Sequence, residues 1–134
     1  MGMSVTLWQV DEGSGPAWRE PPGEPAEFSE DELDEDGRFA LEADFADVEA
    51  ILEQLGLKAP WTEDEEQLEA AHVQRLATRL VPLSWKGLLA KGLDVAGLPH
   101  GVDAEDVQAT WERFRLFVID AARSGNALAS EFDD

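Results

Sequence analysis

At 134 residues the chain supports one domain with a single core, and multidomain enzyme architectures are not expected. Thirty acidic residues against ten basic ones give a formal charge of -20, which repels DNA, RNA and anionic membrane surfaces. The absence of cysteine removes disulfides, thiolate nucleophiles, zinc–thiolate clusters and iron–sulfur sites.

Five Trp and six Phe within a 43% hydrophobic composition supply the material for a core despite the charge. The spacing of Ser4 to Val10 predicts a strand covered on both faces, with Val5, Leu7 and Gln9 to one side and Thr6, Trp8 and Val10 to the other. Residues 11 to 37 follow as a Pro- and Gly-rich acidic loop: Pro16, Pro21, Pro22 and Pro25 forbid a long regular element. Trp18, Phe28 and Leu33 argue that parts of this loop are pinned to the body, since purely solvating linkers are poor in large apolar groups. Arg38 to Ala43 is a short candidate strand in which Phe39 and Leu41 alternate with polar or small residues.

Phe45, Val48, Ile51, Leu52 and Leu55 have helical spacing, with Asp44 as N-cap and Gly56 as stop. Thr62-Glu63-Asp64-Glu65 is a capping-box sequence, which predicts a helix from there to Pro82 that buries Leu68, Val73, Leu76 and Leu80. Ser84 caps a short helix through Trp85, Leu88 and Leu89 before the turns at Gly92, Gly97, Pro99 and Gly101. Asp103 opens the strongest helix, whose stripe is Val107, Trp111, Phe114, Val118 and Ala121 and whose stop is Ser124-Gly125-Asn126. Leu128, Ser130 and Phe132 alternate with Ala129 and Glu131 as an edge strand would, and this strand is expected to pair with the first. The fold class is α+β, a helix-dominated single domain over residues 1–134.

The opening Met1-Gly2-Met3-Ser4-Val5-Thr6-Leu7-Trp8-Gln9-Val10 resembles the start of the YfbM-like family of small bacterial proteins. The segment from Trp111-Glu112-Arg113-Phe114-Arg115-Leu116-Phe117 through Ala121 to Leu128 resembles that family's end. The resemblance implies an α+β fold whose first and last strands share a sheet, and it carries over no catalytic residue.

Charge is segregated along the chain. Residues 11 to 36 hold 11 acids and only Arg19, and residues 42 to 69 hold ten acids and only Lys58. Residues 70 to 102, by contrast, carry Arg75, Arg79, Lys86 and Lys91 against Asp94 alone. Runs of carboxylates of this density complement the cationic groove of a nucleic-acid-processing enzyme or toxin and accelerate its capture by long-range attraction. The expected function is therefore an acidic interaction protein that inhibits a basic protein partner, most plausibly a bacterial immunity protein against a toxin. Its contact residues are Glu30, Asp31, Glu32, Asp34, Glu35, Asp36, Trp61, Glu63, Asp64, Glu65 and Glu66. Trp18 and Trp61 serve as interface anchors if they are exposed beside these acids.

Two other functions compete with this one. The first is a small ligand-binding or enzymatic domain that uses His72, one turn after Leu68, with a nearby carboxylate as orienter. The second is a housekeeping protein whose acidity has no specific target. His100, in Leu98-Pro99-His100-Gly101, reads as a turn residue, and two histidines 28 positions apart give no metal-ligand spacing. Glu32 to Gly37 resembles half of a calcium loop, but the twelfth position is Ala43, so a solvated acidic loop is expected and neither metal nor cofactor is assigned. No Gly-x-Ser-x-Gly elbow supports serine hydrolysis. No apolar run approaches the roughly 20 residues of a membrane span, and the first ten residues lack the pattern of a secretory signal, so the expected location is the cytoplasm.

Overall fold

A computed structural model describes residues 4–10, 18–19, 37–41, 45–57, 61 and 67–133. The elements run β1 (Ser4–Val10), β2 (Phe39–Leu41), α1 (Phe45–Gln54), β3 (Gln67–Leu68), α2 (Ala70–Leu80), α3 (Trp85–Ala90), α4 (Ala104–Arg123) and β4 (Ala127–Asp133). Two 3-10 turns, Val95–Gly97 and Gly101–Asp103, connect α3 to α4. The fold is α+β, and its sheet has the order β2-β1-β4-β3 with every neighbouring pair antiparallel.

The sheet owes its centre to the two chain-terminal strands. β1 and β4 pair over their full lengths, from Ser4 opposite Asp133 to Val10 opposite Ala127. β4 is therefore an interior strand and not the edge its alternation suggests, because β3 covers its far side with Leu68 opposite Leu128. Ala127, Leu128 and Ala129 are accordingly all buried. β1 is buried on one face only: Val5 and Leu7 are sealed opposite Leu41 and Phe39, whereas Thr6, Trp8 and Val10 stay partly exposed. Arg38 lies over the Trp8 ring at 4.8 Å on that outer face and approaches Glu131 at 4.0 Å.

Helix α4 packs along the inner face of the sheet. Its expected stripe of Val107, Trp111, Phe114, Val118 and Ala121 is buried, joined by Phe117 and Ile119. Phe117 stacks on Phe39 with ring centroids 5.0 Å apart, coupling the helix to β2 at the sheet edge. The stops of α1 and α4 share one geometry. Gly56 and Gly125 both adopt φ of 70, where a side chain would be strained, and each is followed by an amide that reaches back five residues. These amides are Leu57 N to Leu52 O at 2.9 Å and Asn126 N to Ala121 O at 3.0 Å.

Helix α2 begins at Ala70, later than the capping-box sequence predicts. Leu68 belongs to β3 instead, since pairing with β4 satisfies backbone groups that a helix there would have used internally. Residues 62–66 lie outside the described residues, as does Asp44, the expected cap of α1.

The reversal between α2 and α3 is held from below by three side chains of α4. The Arg115 guanidinium is buried, with Nε donating to Leu80 O at 2.8 Å, a second nitrogen to Val81 O, and Nη1 to Glu112 Oε2 at 3.0 Å. Trp111 Nε1 donates to Leu83 O at 2.7 Å, and Glu112 Oε1 accepts from Trp85 N at 2.7 Å. These contacts supply partners for carbonyls at the end of α2, which have no intrahelical donor, and place positive charge where the helix dipole favours it. Pro82 lacks an amide and ends the helix, while Ser84 Oγ accepts from Gly87 N to begin the next. Among the described residues no helix is long and apolar enough to cross a membrane.

The planar fork of Arg115 reaches two carbonyls and a carboxylate at once, which an ammonium group cannot copy. Arg115→Lys should therefore lower the unfolding free energy by about 1–3 kcal/mol in urea titration. An unchanged midpoint would show that the clamp contributes nothing.

Candidate functional site

Of the residues expected to contact a partner, Glu30, Asp31, Glu32, Asp34, Glu35, Asp36, Glu63, Asp64, Glu65 and Glu66 lie outside the described residues. Trp61 is described, and it corrects the expectation. It is 5% exposed, packed edge-on against Phe45 at 5.4 Å and tilted against Phe114 at 5.5 Å, with Nε1 donating to Glu49 Oε2 at 3.3 Å. A ring held between α1 and α4 is a core residue and presents no surface to a partner. It fixes its own stretch of the chain to the core at this point.

Trp18 does the same for its own stretch of the chain. It is half-buried, packs against the core and donates from Nε1 to Thr78 Oγ1 of α2 at 2.9 Å. This agrees with the expectation that an aromatic group pins the acidic loop. Phe28 and Leu33 lie outside the described residues.

Several acids of the body are engaged in holding the fold. Asp47 binds His100, Glu49 meets Trp61, Glu112 meets Arg115 and Trp85, and Asp120 accepts from Gln9 Nε2 at 2.8 Å. Arg75, Arg79, Lys86 and Lys91 are all exposed, and among the described residues none of them forms an ion pair. The cationic segment is thus not spent on neutralising the body's own carboxylates.

Histidine chemistry moves from one residue to the other. His72 is exposed on α2 and, among the described residues, has no carboxylate to orient its ring, so the general-base arrangement expected there is missing. His100 has one. Asp47, 1% exposed in the first turn of α1, accepts from His100 N at 2.8 Å through Oδ1, and its Oδ2 lies 2.6 Å from His100 Nδ1. The imidazole side chain is 48% exposed. The same pair pins the turn between the two 3-10 segments to the start of α1, where a negative charge is favoured by the helix dipole. Among the described residues no group of three His, Asp or Glu side chains is placed to hold a metal ion.

Comparisons of the chain with protein-family models, with curated proteins and with solved structures give no match.

Because Asp47 and His100 share two contacts, their replacements should not add. Asp47→Ala and His100→Ala should each destabilise the fold, and the double variant should reveal a coupling of about 0.5–3 kcal/mol in a double-mutant cycle by chemical denaturation. Strict additivity would mean that the pair is only a neighbourly arrangement.

Proposed function

We propose that the chain is an acidic interaction protein that blocks a basic protein partner, the specific case being a bacterial immunity protein that neutralises a toxin in the cytoplasm. The observation that carries this reading is the segregation of charge along the chain: residues 11 to 36 hold 11 acids and only Arg19, whereas residues 70 to 102 hold four bases against Asp94 alone. Carboxylates at this density raise the field around the molecule, and that field speeds the encounter with a cationic surface.

In this mechanism Glu30, Asp31, Glu32, Asp34, Glu35 and Asp36 form one docking run, and Glu63, Asp64, Glu65 and Glu66 form the other. Trp61 is removed from the contact set, since its ring is buried. Membership of the YfbM-like family belongs to the same proposal and rests on the two terminal segments alone.

A second reading is favoured by one observation. The buried Asp47 lies against the His100 ring and holds its orientation, so an enzymatic or ligand-binding domain would use His100 and not His72.

The first reading is tested with a partner captured from cell lysate at low salt. Replacing the six carboxylates of Glu30 to Asp36 by amides should slow its association at low ionic strength by about tenfold or more, and the difference should vanish near 0.5 M salt, where the screening length falls to a few ångströms. Association rates that ignore both the substitutions and the salt would contradict the proposal.

A further inference from the structure

Helix α2 has no acid between Ala70 and Leu80, and its solvent side is cationic. Val73, Leu76, Ala77 and Leu80 are buried, whereas His72, Arg75, Thr78 and Arg79 are exposed, so the two arginines stand one turn apart on a single stripe. Trp18 joins that stripe by donating from Nε1 to Thr78 Oγ1 at 2.9 Å, and the Thr78 hydroxyl is itself fixed by donating to Gln74 O at 2.8 Å. Arg19 is the next residue, and it too is exposed. The other described arginines are engaged elsewhere: Arg38 with Trp8 and Glu131, Arg113 with Thr110, Arg115 with the α2–α3 reversal, and Arg123 also has a partner. Among the described residues Arg19, Arg75 and Arg79 form no ion pair. The arginines that folding leaves unused are thus the ones that the Trp18–Thr78 bond brings to one place.

We infer that Arg19, Arg75 and Arg79 form, beside Trp18, a binding site for a compact oligophosphate anion. A guanidinium presents its donors as a planar fork that matches phosphate oxygens, and a phosphoryl group has oxygens for more than one fork, whereas a single fork uses up a carboxylate. Every cation around Trp18 is an arginine except His72, while the described lysines, Lys86 and Lys91, belong to α3 and the residue after it. The ligand is compact because the site is local. Charges beyond the screening length of roughly 8 Å at physiological salt are weakly felt, so a small anion meets mainly the arginines. A nucleic acid or a long acidic peptide would have to lay its remaining charge along a molecule of charge -20. Trp18 adds aromatic surface at the edge of the site, against which a nucleobase can stack. The inference is independent of the inhibitor reading.

The experiment titrates inorganic triphosphate, and separately ATP, into the full chain at constant ionic strength without divalent cations, following the Trp18 indole resonance and the α2 amides by NMR. Both anions should give saturable shifts at Trp18, Arg75, Thr78 and Arg79. Arg75→Gln with Arg79→Gln should weaken binding about tenfold or more, and Arg75→Lys with Arg79→Lys about threefold, since charge is kept and the fork is lost. Lys86→Gln with Lys91→Gln removes the same charge and should stay within about twofold of the natural sequence. All four positions are exposed, so these variants retain the fold. Equal affinity for the two anions supports the site with the inorganic chain as its ligand, and tighter binding of ATP supports it with the nucleotide, its base against Trp18. Failure of both anions to saturate by about 10 mM, shifts that persist in the arginine-to-glutamine variant, or equal weakening in the lysine variant would overturn the site. Binding of deca-aspartate without binding of either phosphate would overturn it as well.

Discussion

Like-charge repulsion is the constraint under which this chain folds: three acids for every base must be arranged around a core without forcing carboxylates into it. Among the described residues the charges that are buried are each partnered. Arg115 is neutralised by Glu112 and two carbonyls, and Asp47 by both nitrogen donors of His100. A buried charge stripped of its partner is strongly destabilising, so these two arrangements are tightly coupled to the packing around them.

The aromatic residues connect the elements of the fold. Phe39 on Phe117, and Phe45 through Trp61 to Phe114 and Trp111, form a seam that fixes α1, α4 and the edge of the sheet to one another. Trp61 belongs to this seam and bonds Glu49 of α1, and Trp18 is held to α2 by its hydrogen bond to Thr78. Arg115 and Trp111 clamp the α2–α3 reversal, and Arg75 and Arg79 of α2, Lys86 of α3 and Lys91 just after it are exposed to solvent.

What could be read from residues alone was what depends on local period and on turn chemistry. The α4 stripe, the glycine stops at Gly56 and Gly125 and the pairing of first and last strands follow from spacing that neighbours in sequence determine. Features that depend on distant partners were hidden. Leu68 has helical spacing with Leu76, yet it is a strand residue because Leu128 lies opposite it. Trp61 beside four acids has the look of a surface anchor, and only the placement of Phe45 and Phe114 makes it core. Arg115 occupies a position that charge alone assigns to solvent, and its buried role exists because the carbonyls of Leu80 and Val81 end a helix above it. Asp47 and His100 lie 53 positions apart, and nothing in either neighbourhood signals the other.

The account turns on a separation between the charge that serves association and the contacts that serve folding. Urea unfolding of a chain whose nine acids in residues 20 to 36 are all replaced by amides measures that separation directly. Stability equal to that of the natural sequence within about 1 kcal/mol, or higher because repulsion is relieved, is the predicted result. A loss of more than about 2 kcal/mol would show that these carboxylates hold the fold together, and would contradict the assignment of the acidic segment to association.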